Sequence, residues 1–105
     1  MKYGLPKPTV DQICAVLAQY PAIDRAVLYG SRAKGNYKPG SDIDLTLYGP
    51  DVTPTLCATI AEALDDLLLP YSIDLSVFAE LKHPELEAHI QRVGLVFYER
   101  DGRVF

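Results

Sequence analysis

Two short stretches of this chain carry the residue types that chemistry needs. Asp42-Ile43-Asp44 sets two carboxylates two residues apart, so a strand would aim both to the same side. Asp74 stands in a second alternating stretch, on the face opposite Ile73 and Leu75. If the two strands are neighbours, three carboxylates converge. One pair of such charges about 4 Å apart costs roughly 4 kcal/mol even at an effective dielectric of about 20. Hard oxygens in a cluster therefore suit Mg²⁺ or Mn²⁺. The other stretch is Gly30-Ser31-Arg32-Ala33-Lys34-Gly35, placed where an apolar strand gives way to a short helix. Gly30 lets a ligand approach the backbone. Ser31 offers a hydroxyl where a helix start points free N–H groups at an anion. Arg32 and Lys34 add positive charge. Phosphate contacts on one side and metal ligands on the other are what a metal–nucleoside triphosphate requires.

Each piece alone has an ordinary use. An isolated Asp-x-Asp is usually a solvated strand edge, a Gly-Ser pair a turn, and Arg32 and Lys34 surface charges. Their combination is rarer, because the acids sit on alternating apolar strands where a charge is otherwise costly. The common phosphate loops fit worse: Gly30 and Gly35 are followed by Asn36-Tyr37 rather than Lys-Ser or Lys-Thr, and G-x-G-x-x-G is absent. His83 and His89 lack paired ligand spacing and read as solvent-facing or capping residues. Cys14 and Cys57, far apart and each on an apolar helix, read as two buried thiols.

The elements that must position these residues alternate helix and strand. Thr9 and Gln12 fit a capping box, followed by Val10, Ile13, Leu17 and Tyr20 on one helical face, with Pro21 as the stop. Ala26 to Tyr29 reads as a short buried strand, and a short helix follows Ser31. Asp42 to Tyr48 alternates strictly, with Ile43, Leu45 and Leu47 against Asp42, Asp44, Thr46 and Tyr48. Thr53-Pro54 opens a helix with Leu56, Ile60, Leu64 and Leu67 as its stripe, reaching to Pro70. Tyr71 to Phe78 is the next strand. Pro84 starts a helix carrying Leu86, Ile90 and Val93, with Gly94 as its C′ residue. Leu95 to Tyr98 is the last strand, and Asp101-Gly102 signals a turn before Arg103, Val104 and Phe105.

The chain has 105 residues, 49% of them hydrophobic and 23% charged, with a formal net charge of −4. That describes one domain, residues 1–105, able to bury a core without metal or disulfide staples. No apolar run has the ~20 residues of a membrane span, and the first eight residues are not a signal peptide. A cytoplasmic location and no membrane partner are expected. The acidic balance argues against general nucleic-acid binding, which needs clustered Lys and Arg. It leaves room for a small anionic ligand at a local positive site.

Gly30-Ser31, ten residues, then Asp42-Ile43-Asp44 has the spacing of the G-S-x10-D-x-D signature of DNA polymerase β-type nucleotidyltransferases. The chain resembles a minimal nucleotidyltransferase (MNT) domain of that superfamily over roughly Ala26 to Phe78, with Asp74 in the place of the third carboxylate. The resemblance implies an α/β (α+β) nucleotidyltransferase fold, with a mixed central sheet flanked by helices. It implies two-metal transfer of a nucleoside monophosphate from an NTP to a hydroxyl. Asp42 and Asp44 would ligate both Mg²⁺ ions, with Mn²⁺ as a substitute. Asp74 would complete the site nearer the acceptor and help deprotonate its hydroxyl. Gly30 and Ser31 would hold phosphates, with Arg32 and Lys34 nearby.

About 27 residues follow Phe78, enough for one helix and one strand. The acceptor platform is therefore expected on another chain. Stand-alone domains of this kind resemble the antitoxin of HEPN/MNT toxin–antitoxin modules, whose partner is a small helical HEPN protein. The leading expectation is AMP transfer from ATP to a hydroxyl, such as a tyrosine, of that partner. The alternatives are a non-catalytic antitoxin that masks its partner and transfer to a small-molecule acceptor at a dimer cleft. Homo- and hetero-oligomers are both open.

Overall fold

A computed structural model describes residues 2–100. Its elements are α1 (Lys7–Leu17), β1 (Arg25–Tyr29), α2 (Gly30–Lys34), β2 (Ile43–Tyr48), α3 (Pro54–Asp65), β3 (Ile73–Val77), a 3-10 turn at Phe78–Glu80, α4 (Pro84–Val93) and β4 (Leu95–Glu99). The expected alternation of helix and strand holds throughout. The Asp101-Gly102 turn and residues 103–105 lie outside the described residues.

The four strands form one mixed sheet in the order β3-β2-β1-β4. β1 runs antiparallel to both β2 and β4, while β2 and β3 are parallel. A parallel pair needs a crossover, and α3 supplies it. One face of the sheet presents Ala26, Leu28, Ile43, Leu45 and Leu47, all fully buried. Against it pack Ile13 and Leu17 of α1 and Cys57, Ile60 and Leu64 of α3, which together form the main core. α4 covers part of the other face, where Ile90 meets Val27 and Tyr29 in a smaller cluster.

Local signals explain where most helices start and where some differ from expectation. Thr53 caps α3 as expected: its Oγ1 accepts from Leu56 N–H at 3.1 Å, and Pro54 takes the first helical position. Thr9 caps nothing. α1 begins three residues earlier than a Thr9 cap would start it, after an extended Pro6, and Thr9 lies buried inside it. The buried stripe of α1 is therefore Thr9, Ile13, Val16 and Leu17, with Val10 and Tyr20 only half-buried beside it. α1 and α3 both stop short of the prolines expected to end them, at Leu17 and Asp65, each closing through a short turn. Gly94 ends α4 in an extended conformation rather than the left-handed one of a C′ glycine. Space dictates glycine there, since a Cβ would strike Val27 Cγ1 and the Ile90 carbonyl oxygen. No helix among the described residues is long and apolar enough to cross a membrane.

Candidate active site

β2 and β3 are neighbours, and their pairing sets Asp44 directly beside Asp74. Tyr29, the last residue of β1, pairs with Asp44 from the other side. Asp42 lies one residue before β2 rather than within it, and is exposed. Its charge nonetheless reaches Asp44. Burial holds the Asp44 carboxyl above its ordinary value of 3.8, with the charges of Asp74 and then Asp42 pushing the same way. Asp74 is exposed and Asp44 half-buried, so the acids line the rim of the face α4 leaves open.

Gly30 closes the site from the β1 side. Its φ of +73° belongs to the left-handed region, and an added Cβ would run into Asp44 Oδ2. Conformation and space both demand glycine here. Ser31 is half-buried in the first turn of α2, and its carbonyl accepts from Gly35 and Asn36 N–H at 2.9 and 3.2 Å. Gly35, at φ +84°, ends this helix and turns the chain into the loop that leads to Asp42.

The two expected cations part company. Lys34 is exposed and makes no ion pair among the described residues. Arg32 is neither a surface charge nor a free phosphate ligand. It is 2% exposed, and its guanidinium donates to the carbonyls of Tyr3 (2.9 Å), Ser41 (2.8 and 3.1 Å) and Pro39 (3.4 Å). A sequence motif shows that an arginine is present, not where its donors go.

Three residues of this face escaped the sequence reading as parts of the site. Tyr29 is buried, which raises its phenol above the ordinary value, and Asp74 and Asp44 raise it further. Ser76 Oγ stands close enough to pull the phenol back somewhat, yet outside hydrogen-bonding geometry. Among the described residues, Thr46 Oγ1 and Ser76 Oγ are both buried without a partner, on residues paired across β2 and β3 two positions beyond the acids. Their place was legible from the two-residue period, which puts them on the acidic face. Their lack of partners was not.

His83 is a capping residue. Its Nδ1 accepts from Leu86 N–H and its own N–H donates to Glu87 Oε2, both at 3.1 Å, a reciprocal cap at the start of α4. His89 faces the Tyr29 ring edge-on at 6.3 Å between centroids. Both thiols are free: Cys57 is buried and Cys14 half-buried, and burial raises both above the ordinary thiol value.

A family profile described as "Polymerase beta, Nucleotidyltransferase" matches residues 11–103. No curated protein matches the chain. Among solved structures, a toxin–antitoxin complex with AMP-PNP gives a TM-score of 0.68 at 19% identity, over 90% of this chain and 74% of that one. A structure of the tri-AMPylated Shewanella oneidensis HEPN toxin with its MNT antitoxin gives 0.66 at 18% identity, over 89% and 71%. A Sulfolobus solfataricus protein described as a nucleotidyltransferase gives 0.52 at 13% identity, over 100% and 95%. At these identities the likeness is one of fold: a mixed four-stranded sheet with helices, as the resemblance implied.

Proposed function

The chain belongs to the polymerase beta nucleotidyltransferase family, and from that membership we propose that it transfers AMP from ATP to a hydroxyl of a small helical HEPN-type partner in the cytoplasm, and so acts as an antitoxin. The observation that carries the reading is the side-by-side register of Asp44 and Asp74, with the Gly30 turn closed against Asp44. The fold relatives supply the partner class, since two of them are structures of toxin–antitoxin pairs.

The residues fit Mg²⁺. Among the described residues no three acidic, histidine or cysteine side chains stand close enough to cage a cation unaided. Mg²⁺ is characteristically held by one or two carboxylates plus substrate phosphates rather than by an all-protein cage. Asp42, Asp44 and Asp74 are the oxygens this chain would offer it. When bound, the metal neutralises triphosphate charge and stabilises the entering and leaving oxygens. The protein's own work is positioning. The turn at Gly30 and Ser31 receives the outer phosphates, with Lys34 as the cation left available to them. Asp74, exposed on the edge strand β3, faces the acceptor side and takes the proton of the attacking hydroxyl. The hydroxyl oxygen bonds to the α-phosphorus, the bond to the β-phosphate breaks, and pyrophosphate leaves.

Asp74→Asn tests this. Mg²⁺-ATP binding, measured by calorimetry, should largely survive because Gly30, Ser31, Asp42 and Asp44 remain. Transfer to the partner, read as mass gain, should fall by about 10² to 10⁴-fold, the usual worth of general base help. Partner neutralisation in cells should be lost with it. Full neutralisation without transfer would hand the function to stoichiometric masking.

A further inference from the structure

Arg32 sits where four segments of the chain meet. It is the residue after Ser31. Its Nε and Nη2 both donate to the carbonyl of Ser41, which immediately precedes Asp42. Its Nη1 donates to the Tyr3 carbonyl in the N-terminal turn. Its guanidinium carbon lies 5.2 Å from the ring centroids of both Tyr37 and Tyr71. Tyr37 belongs to the loop between α2 and β2, and Tyr71 leads into β3, three residues ahead of Asp74.

A buried charge must be matched by hydrogen bonds or it is strongly destabilising. Here main-chain carbonyls and two aromatic faces do the matching, with no carboxylate among its ion pairs in the described residues. The planar guanidinium suits this work because it presents several donors in one rigid plane and stacks on rings. The loop it holds has little else. Ser41 N–H donates to the Lys38 carbonyl and Lys38 N–H to Ser41 Oγ, closing a four-residue turn, while residues 34–40 are all exposed.

We infer that Arg32 is the positioning residue of the site: one buried guanidinium sets Ser31, Asp42 and the approach to Asp74 in fixed relation, with the N-terminal turn at Tyr3-Gly4 as its outer strut. The strut is closely fitted, since a Cβ on Gly4 would strike the Tyr37 ring. The role in nucleotide binding rests on the function proposed above; the ordering of the loop does not.

Hydrogen exchange by NMR separates the two. In Arg32→Ala, exchange at the amides of Lys38, Ser41 and Ile43 should rise about tenfold or more, while Ile60 and Leu64 in α3 hold near wild type, as local opening requires. Mg²⁺-ATP affinity should fall about tenfold, and low-millimolar guanidinium should restore part of it by occupying the vacated fork. Arg32→Lys should resemble the alanine variant, because an ammonium cannot span the Ser41 and Tyr3 carbonyls as a plane does. If Arg32→Ala does not fold, Gly4→Ala keeps the guanidinium and disturbs only the strut, and the same three amides should exchange faster. Unchanged exchange at these amides, an equal rise along the whole chain, or full recovery by lysine would each overturn the inference. Faster loop exchange in a protein whose wild type binds no ATP would leave the positioning role standing and sink the nucleotide reading instead.

Discussion

The two faces of the central sheet are made from alternate residues of the same strands, yet they are opposite in kind. On one, Ala26, Leu28, Ile43, Leu45 and Leu47 are sealed beneath α1 and α3. On the other, Tyr29, Asp44, Thr46, Asp74 and Ser76 crowd charges and unpaired hydroxyls into a surface α4 covers only in part. Close packing of apolar side chains supplies most of a small domain's stability. The acidic face works against it, through like charges and buried polar atoms without partners. The sealed face carries the stability that lets the other stay poorly satisfied. Natural sites commonly hold such a trade.

Three variants sharpen or break that contrast. Asp44→Asn should have the largest effect, lowering transfer by about 10³-fold, the scale on which loss of a preorganised electrostatic group is felt. The same change should raise thermal stability at neutral pH. The folded pKa of Asp44 lies above its ordinary value of 3.8, so the native state holds that proton more tightly than the unfolded chain. Its contribution favours folding at pH below that value and is lost as pH rises through the raised native value. The gain from Asn should therefore be largest above the raised native value and shrink as pH falls toward 3.8. A melting temperature that drops at pH 7 would show the acid to be structurally satisfied and would erase the contrast.

Leu45→Ala comes next. It empties a fully buried position on the sealed face and should cost about 2–5 kcal/mol in denaturant unfolding. A loss below about 1 kcal/mol would mean that α1 and α3 collapse onto the gap and that the sealed face is less rigidly packed than its burial indicates. Thr46→Val is the smallest. It swaps an unpaired buried hydroxyl for a methyl of similar shape, so stability should stay level or rise by about 1 kcal/mol. Destabilisation on that scale would reveal a partner for the hydroxyl.

The alternation in Asp42–Tyr48 and Tyr71–Phe78 was enough to assign β2 and β3 and to put Asp44 and Asp74 on a single face, because a pleated strand has a fixed two-residue period. Both strands start later than the pattern suggested, at Ile43 and Ile73, so Asp42 falls outside the pleat and the expected convergence of three carboxylates is reduced to a pair among the described residues. Thr53-Pro54 and the run from Pro84 were equally legible, since a cap is a local hydrogen bond. Thr9 misled for the same reason: its spacing to Gln12 is correct, but the extended Pro6 and the docking of Leu5, fully buried in the main core, start the helix earlier.

Residue types and periods alone singled out the groups proposed here for the site: Asp42, Asp44 and Asp74, the glycine turn at Gly30, and Ser31. These are properties of short stretches, where geometry follows from neighbours along the chain. Only the tertiary structure decided how they stand to one another. The register that pairs Asp44 with Asp74 depends on α3 crossing over to make β3 a parallel neighbour of β2. The closeness of Gly30 to Asp44 depends on β1 ending beside the start of β2. Arg32, read as a cation for phosphates, was turned inward by carbonyls of residues 3, 39 and 41. A long side chain chooses among partners by what the folded chain places within its reach, and no local pattern carries that information.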